Sequence, residues 1–383
     1  MAKEPHDRGH IADLVIEGGG WARVGGQRLR FFGGTDYLGL ARHPDLIGEI
    51  GAALQREGVS ASGSRVTTGS RAAHAELEGA LGEWTAGEAV ILPSGYLAAQ
   101  AAVQGMAPAG GWEIALLDER AHPCLSDACR AAGIGSIHSY RHADPADFER
   151  QLRRLEQPVQ KRPERWLVAT DAVFPVSGQI APLDQLAEVA AAHGIGLLLI
   201  DDAHGLGVLG PGGAGTAAAF GLRPRPGLCL AGTLSKALGS FGGWVSGPPG
   251  SAGLIRSSSV YVGSTPIPAA LAAGACVAVR IARSDLERRE RVLRLAQRLK
   301  HAVRELGMTC PDGPSPIVSL KGPSDITAAQ LHARLLSHGC YVPAIRYPGA
   351  DDSTVLRAAV TADHSEADIE LLTASLAAAV RES

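Results

Sequence analysis

The chain has little of several features that mark particular classes of protein. Aromatic residues are only 4% of its 383 residues, which we attribute to genomic base composition because glycine, alanine and arginine are abundant. The 36 basic and 39 acidic residues leave a formal net charge of −3, so there is no overall electrostatic attraction to nucleic acid or to an anionic membrane. We therefore expect small-molecule partners, with no nucleic acid and no membrane among them.

Cysteine and long apolar runs are also scarce. The six cysteines show neither a Cys-x-x-Cys pair nor the cysteine–histidine spacing of a metal site, so we expect no metal and no disulfide scaffold. The stretch MAKEPHDRGHIADLV lacks the apolar segment of a signal peptide, and no uncharged run is long enough to span a bilayer. These absences predict a soluble protein in the reducing cytoplasm.

The length and the 45% apolar content predict a substantial core, organised in two domains or in one large domain with a smaller appendage. Residues 1–43 form an N-terminal segment, in which WARVGGQRLRFF (21–32) is typical of a short β-ribbon turning at its Gly-Gly pair. Residues 44–283 alternate between helical and strand patterns, whereas residues 284–383 are rich in helix with short strands between. We predict a large α/β domain over the former and a smaller α+β domain over the latter.

The large domain contains seven segments with strand character, most of them separated by helical segments. These predicted strands are 89–92, 114–117, 136–140, 166–170, 197–201, 228–231 and 243–246. Strands that alternate with helices over this length imply a mostly parallel sheet covered by helices on both faces. The predicted fold class is therefore α/β.

Lys236 is the first candidate for chemistry. In AGTLSKALGSFGG it follows a short apolar run, lies among hydroxyl side chains and opens onto glycines. Upstream, an apolar strand ends in Asp201, with His204 three residues further on, so both groups belong to the carboxyl end of that strand. Thirty-five positions separate Asp201 from Lys236, which is room for one crossover and another strand. A lysine able to form a Schiff base and an aspartate able to pair with a pyridinium nitrogen predict a site for pyridoxal phosphate (PLP).

The glycines after His204 raise an alternative. GLGVLG (205–210) and GPGGAG (210–215) match the glycine pattern of a dinucleotide-binding fold. However, Asp201 to His204 intervene between the apolar part of the strand and these glycines, Pro211 interrupts the pattern, and no acidic residue ends the next strand. A nicotinamide-dependent oxidoreductase therefore ranks below a PLP enzyme.

Two further turns carry weaker signals. PSGY (93–96) joins a strand to a helix, so its backbone N–H groups are suited to an anion, although taken alone the pattern is typical of an ordinary turn. His122 follows the strand that ends at Asp118, and a lone histidine there is usually structural.

Taken together, eight motifs resemble those of the α-oxoamine synthases, which are fold-type I PLP enzymes that join an amino acid to an acyl thioester. The motifs are TDYLGL (35–40), GSRVTTG (63–69) with HAELE (74–78), SGYLAAQ (94–100), DERAHPCL (118–125), DDAHGLGVLG (201–210), TLSKALGSFGG (233–243), GSTPIP (263–268) and LRAAVTADH (356–364). They follow in order over nearly the whole chain. Within the family, the chain is most similar to the biotin-pathway branch.

The resemblance implies roles around the cofactor ring. Lys236 would hold PLP and move the α-proton of the substrate, and Asp201 would keep the pyridine nitrogen protonated. His204 would bond the phenolic oxygen, while His122 would stack on the ring and assist proton transfer. Asp202 is expected to act behind these residues or to cap a helix.

The resemblance also implies how the cofactor phosphate is held. Thr233, Ser94 and the backbone of Gly95 and Tyr96 would bind it within one subunit. Thr265 resembles a phosphate ligand donated by the neighbouring subunit, which implies a homodimer with shared active sites.

Three more residues are expected at the substrate. Arg357 matches the carboxylate-binding arginine of the family, where a planar guanidinium can form two parallel bonds. Arg346 is a second candidate, with a structural salt bridge as its alternative. Thr35 is the third, and it stands where the family usually has an asparagine facing the substrate. A separate departure from the family concerns the cofactor: Pro175 stands where a serine commonly bonds the phenolic oxygen of PLP.

The resemblance predicts a decarboxylating C-acyltransferase that forms an α-amino ketone, carbon dioxide and a free thiol. The preferred substrates are L-alanine and a pimeloyl thioester of coenzyme A or of a carrier protein. One alternative is a related enzyme that uses glycine or serine with another acyl thioester, as in 2-amino-3-ketobutyrate ligases or secondary metabolism. Another is a catalytically silent partner subunit, which the presence of Lys236, Asp201, His204 and His122 disfavours.

Overall fold

The computed structural model describes residues 14–156, 162–322, 326–345 and 354–381. Over these residues the strands form a seven-stranded sheet, a four-stranded sheet and a three-stranded sheet. All six cysteines are free thiols, and five of them are buried. No helix in these ranges combines the length and the apolar character needed to cross a membrane.

The central sheet contains the seven strands predicted for the large domain. They are Glu88–Leu92 (β4), Ile114–Asp118 (β5), Ser136–Tyr140 (β6), Trp166–Asp171 (β7), Leu197–Asp201 (β8), Leu228–Thr233 (β9) and Gly243–Gly247 (β10). Their order across the sheet is β4-β10-β9-β8-β7-β5-β6. The run from β9 to β6 is parallel, whereas β10 is antiparallel to both of its neighbours. The predicted mostly parallel α/β sheet is therefore confirmed.

Ten helices accompany this sheet in the described ranges. They are Pro44–Glu57 (α1), Ala72–Thr85 (α2), Gly95–Gly105 (α3), Pro123–Ala131 (α4), Pro145–Glu156 (α5), Leu183–Ala192 (α6), Thr216–Ala219 (α7), Ser251–Arg256 (α8), Ser259–Gly263 (α9) and Ala269–Ser284 (α10). Alternate residues of one strand enter different apolar clusters: Leu198 and Ile200 of β8 pack into one, and Leu197 and Leu199 into the other. Both faces of the sheet are thus covered, and each fully buried leucine contributes about 2 kcal/mol of burial free energy.

The C-terminal part forms the predicted smaller α+β unit. Its elements are Leu286–Glu305 (α11), Ile317–Leu320 (β11), Ala328–Ser337 (α12), Cys340–Tyr341 (β12), Ala344–Ile345 (β13), Val355–Ala359 (β14) and Glu366–Arg381 (α13). The strands β11, β14 and β13 make an antiparallel sheet in that order. The domain boundaries after residues 43 and 283 remain predictions.

The N-terminal ribbon consists of Val15–Gly18 (β1), Trp21–Val24 (β2) and Gln27–Phe31 (β3). As predicted, β2 and β3 are antiparallel. The intervening Gly25 and Gly26 have φ values of 54° and 83°, a left-handed conformation that glycine adopts without a steric penalty.

The ribbon packs on the C-terminal unit through its last strand. β3 pairs in parallel with β12, and the buried side chain of Arg30 donates two hydrogen bonds to the carboxylate of Asp368 in α13. Ala359 N donates to Phe32 O at 2.7 Å, which extends the contact beyond the ribbon. The first and last described parts of the chain therefore form one packed unit.

The motif TDYLGL leads from this ribbon toward the central sheet. Ala362 N donates to Tyr37 O at 2.8 Å, and the Asp36 carboxylate accepts from the backbone of Leu40 at 2.9 Å and of Ala41 at 3.0 Å. These bonds fix the turn, so the Tyr37 side chain is held in a fully buried position.

Candidate active site

Three parallel strands bring candidate groups to one edge of the central sheet. Asp171 ends β7, Asp201 ends the adjacent β8, and Thr233 ends β9. His122 lies four residues beyond the end of β5, at the same edge. Because the carboxyl ends of parallel strands share an edge, residues far apart in sequence meet here.

Lys236 and His204 are in direct contact. Lys236 Nζ lies 2.8 Å from His204 Nε2, and His204 Nδ1 lies 2.7 Å from the hydroxyl of Tyr37. Removal from water lowers the pKa of Lys236, the carboxylates of Asp201 and Asp171 oppose this change, and Arg357 adds to it. An amine with a lowered pKa is more often neutral, which is the state that attacks a carbonyl carbon.

His204 is held in its neutral form. Burial lowers its pKa well below the usual 6.5, and the positive charges of Lys236 and Arg357 act in the same direction. A neutral imidazole has one N–H donor and one acceptor, so its two contacts have opposite polarity.

Asp201 lies among polar partners. Its Oδ1 accepts from Ala203 N at 3.0 Å, and its Oδ2 accepts from the thiol of Cys124 at 3.6 Å. Asp171 is buried beside it, and burial together with the charge of Asp201 raises the pKa of Asp171 well above 3.8. Sequence reasoning missed Asp171, although it ends an apolar strand just as Asp201 does.

His122 connects this strand edge to α4. Its backbone N–H donates to Asp171 Oδ2 at 2.7 Å, and its ring Nδ1 accepts from Cys124 N at 3.1 Å, as the N-cap of the helix. Burial lowers the pKa of His122, while the nearby Asp201 opposes that shift. With Nδ1 serving as an acceptor, the proton of the neutral ring is on Nε2.

The N-terminus of α3 lies against the end of β9. Ser94 caps the helix by accepting from Leu97 N at 3.2 Å. A Cβ on Gly95 would lie 3.0 Å from Thr233 Cβ, so only glycine permits this approach without displacement. The first-turn N–H groups of a helix have no partner within the helix, which makes this end of α3 a candidate anion site. The nearby Thr233 hydroxyl donates to Gly242 O at 2.9 Å, so an anion would have to compete with that carbonyl for its proton.

Arg357 approaches from the C-terminal unit. It is buried in β14, and its Nε donates to Pro175 O at 2.6 Å while its Nη2 donates to the Tyr37 hydroxyl at 3.3 Å. The carbonyl of Pro175 therefore orients the guanidinium, a role open to any residue at that position. Thr35 is partly buried two residues before Tyr37, on the same turn.

Asp202 lies behind the site and caps a helix, as expected. Its Oδ2 accepts from Thr216 N at 2.7 Å at the start of α7, and burial raises its pKa to about 7. A Cβ on Gly205 would lie 2.0 Å from both Asp202 Oδ1 and Thr216 Oγ1, which makes glycine necessary there. The neighbouring glycines thus form a loop ahead of a four-residue helix, and not the turn of a dinucleotide fold.

Some candidates are not brought together with Lys236. Thr265 is exposed between α9 and α10, and its role for a neighbouring subunit stays a prediction. Tyr96 is exposed and its hydroxyl donates to Asp127 Oδ2 at 2.6 Å, so only its backbone belongs to the anion site. Arg346 lies outside the described residues.

The residues at this edge fit PLP. Lys236 would supply an amine for the aldehyde carbon, Asp201 a carboxylate for the ring nitrogen, and the close approach of α3 to Thr233 a cradle for the phosphate. The model of the aminotransferase class I and II family matches residues 32–376. Fold and site therefore define a PLP-dependent enzyme of fold type I.

Curated relatives narrow this class. The 8-amino-7-oxononanoate synthase of Halorhodospira halophila is 40% identical over 367 residues, covering 94% of this chain and 88% of the relative. The 8-amino-7-oxononanoate synthase of Thioalkalivibrio sulfidiphilus is 36% identical, covering 94% of this chain and 90% of the relative. The chain belongs to the α-oxoamine synthase family, as its motifs predicted.

Solved structures agree with this assignment. A serine palmitoyltransferase from S. paucimobilis has a TM-score of 0.88 and 28% identity, over 97% of this chain and 93% of that one. An 8-amino-7-oxononanoate synthase from Francisella tularensis has a TM-score of 0.76 over 92% of this chain and 98% of that one. Its 21% identity supports the fold alone.

Proposed function

We propose that this enzyme condenses L-alanine with a pimeloyl thioester, giving 8-amino-7-oxononanoate, carbon dioxide and a free thiol, with PLP as its cofactor. The carrier of the pimeloyl group is coenzyme A or a carrier protein. The observation that carries the proposal is the contact of Lys236 Nζ with His204 Nε2 at 2.8 Å, beside Asp201. Hydrogen bonds connect this pair to Arg357 through the Tyr37 hydroxyl. The identity to curated synthases supports the choice of substrates.

Lys236 moves the proton in this proposal. Bound PLP supplies an electron sink for the negative charge that develops at the substrate α-carbon. Lys236 Nζ takes the α-proton and later returns a proton to the same carbon of the product. Its lowered pKa suits both steps, because a base works best when its pKa is near the working pH.

The neighbouring groups position the reactants. The carboxylate of Asp201 would stabilise a proton on the ring nitrogen of PLP. His204 Nε2, which lies 2.8 Å from Lys236 Nζ, would bond the phenolic oxygen of the cofactor. His122, whose backbone N–H is held by Asp171 and whose Nδ1 accepts from Cys124 N, would cover one face of the cofactor ring and exclude water there. This fixed geometry lowers the entropic part of the barrier.

Arg357 binds the substrate carboxylate in this proposal. One edge of its guanidinium is already held by Pro175 O and the Tyr37 hydroxyl, which leaves Nη1 and the second proton of Nη2 for an anion. Thr35 contributes a shorter polar group nearby, and Arg346 is retained as a second candidate for substrate binding.

We further propose a cytoplasmic homodimer with shared active sites. Thr265 is exposed, in line with a contribution to a second subunit, and Ser94, Gly95, Tyr96 and Thr233 hold the phosphate from within the chain. Large apolar side chains that are also exposed support an interface between copies. They include Val59, Val66 and Val262.

A substrate panel tests the proposed reaction. The PLP-loaded protein is incubated with alanine, glycine or serine and with pimeloyl or other acyl thioesters, on coenzyme A or on a carrier protein, and products are identified by mass. Alanine with a pimeloyl thioester should give one 8-amino-7-oxononanoate for each carbon dioxide released. Product with glycine or serine but not with alanine would assign the chain to another member of the family. No product from any pair, and no PLP bound, would favour a silent partner subunit.

A further inference from the structure

Tyr37 connects the carboxylate-binding arm of the site to its amine. The phenol is fully buried, and its oxygen lies 3.3 Å from Arg357 Nη2 and 2.7 Å from His204 Nδ1. His204 Nε2 in turn lies 2.8 Å from Lys236 Nζ. Four side chains from four distant parts of the sequence thus form one continuous hydrogen-bonded chain.

The proton of each bond in this chain can be assigned. A guanidinium has donors and no acceptor, so the Tyr37 oxygen accepts from Arg357. The single proton of Tyr37 is then directed to His204 Nδ1. A neutral imidazole whose Nδ1 accepts carries its proton on Nε2, and this N–H donates to Lys236 Nζ. Only an uncharged amine has the lone pair to accept it.

The opposite direction of the hydrogen bonds between Lys236, His204 and Tyr37 is unfavourable. If Lys236 were an ammonium donating to His204 Nε2, His204 would carry its proton on Nδ1 and donate to Tyr37. The Tyr37 oxygen would then accept from both His204 and Arg357, and its own proton would need another acceptor in a buried position. Asp201 and Asp171 attract a charged lysine and Arg357 repels it, so it is the direction of these hydrogen bonds, together with burial, that favours the uncharged amine.

We propose that Tyr37 is a positioning residue that fixes His204 as the Nε2–H tautomer and thereby keeps the Lys236 amine uncharged and ready to capture PLP. Its effect on turnover rests on the proposed function, whereas the tautomer and the capture of PLP do not. Sequence reasoning quoted Tyr37 only as part of a motif.

Solid-state ¹⁵N NMR of histidine-labelled full-length protein, with and without PLP, tests the tautomer. The His204 signals are identified by their loss in His204→Asn. We expect a bare Nδ1 and a protonated Nε2 in the wild type, and a mixture of tautomers in Tyr37→Phe, with the preference reduced about tenfold because one hydrogen bond is lost. A protonated Nδ1 in the wild-type protein without PLP, or an unchanged signal in Tyr37→Phe, would overturn the proposal.

The rate of PLP capture provides a second readout. Tyr37→Phe should bind PLP covalently about tenfold more slowly than the wild type, because less of Lys236 is uncharged. Tyr140→Phe is the matched control, since Tyr140 is also fully buried but lies at the end of the edge strand β6. Equal capture rates in the wild type and Tyr37→Phe would contradict the role. If Tyr37→Phe did not fold, the tautomer of His204 in the wild-type ¹⁵N spectrum would still support or overturn the proposal.

Discussion

Asp171 and Asp201 lie directly opposite each other, in register, at the carboxyl ends of the adjacent parallel strands β7 and β8. Both carboxyl groups are buried, so water cannot screen their repulsion well. Burial, together with the nearby Asp201, raises the pKa of Asp171 and so favours its protonated form, and we expect Asp201 to be the carboxylate that faces the ring nitrogen of PLP. The two aspartates therefore have unequal roles despite equivalent positions.

This inequality predicts different effects of two isosteric variants. Asp201→Asn removes the charge beside the ring and should lower kcat/KM by about two orders of magnitude, as for loss of one strong electrostatic contact to the reacting centre. In the wild type, Asp171 Oδ2 accepts from His122 N at 2.7 Å. Asp171→Asn keeps an oxygen that can accept this hydrogen bond, so it should change kcat/KM by less than about threefold. Steady-state kinetics with saturating PLP compares them. The reverse order of effects would contradict the assignment.

Lys236→Ala should abolish covalent attachment of PLP and lower turnover by about three orders of magnitude or more. Borohydride reduction followed by peptide mass spectrometry locates the modified residue. Lys300→Met is the matched control, because Lys300 is also buried, with a pKa lowered to about 8 by burial, but donates to Gly313 O within the C-terminal unit. Label on a residue other than Lys236 in the wild type would refute this prediction.

Arg357→Lys should raise the KM for the amino acid by about tenfold to a hundredfold and lower kcat less. A lysine cannot contact Pro175 O and the Tyr37 hydroxyl while also presenting two parallel donors to a carboxylate. Kinetics at varied amino-acid concentration measure the change, and Arg298→Lys, which alters an exposed ion pair with Glu366, is the control. An unchanged KM would remove Arg357 from the substrate site.

Asp202 should make stability depend on pH in an unusual direction. Burial raises its pKa from 3.8 to about 7, so the folded state binds a proton that the unfolded state releases. This contribution is present below about pH 3.8 and is lost as the pH rises toward 7. Relative to Asp202→Asn, which does not titrate, the wild type should lose on the order of 4 kcal/mol of unfolding free energy over this interval. Denaturant unfolding of both proteins at several pH values measures the difference, and a constant difference would contradict the prediction.

The parts of the site that follow from local pattern were predicted from the sequence. Asp201 and His204 belong to an apolar strand and the turn after it, and Lys236 belongs to a glycine loop, so neighbouring residues alone indicate their positions. Tyr37 was missed because its partners lie at positions 204 and 357, in the large domain and in the C-terminal unit, and only the folded chain brings all three together.

The antiparallel direction of β10 is a second feature that the residue pattern alone did not predict. An apolar strand has the same pattern in either direction, so 243–246 was included among the strands of a mostly parallel sheet. The available signal was the connection: only residues 234–242 separate β9 from β10, and a parallel crossover needs a dozen residues or more. Short connections therefore decide direction where composition does not.

The pairing of β3 with β12 determines when the site is completed during synthesis. Tyr341 leaves the ribosome more than three hundred residues after Phe31, its partner in the ladder. A nascent chain can form the central sheet first, since its strands all lie within residues 88–247, but Arg357 joins Tyr37, His204 and Lys236 only when the last segments dock. A truncated chain that ends before residue 340 would therefore lack Arg357 and the strand that pairs with β3, so the arm of the site that is proposed to bind the substrate carboxylate would be the last part to form.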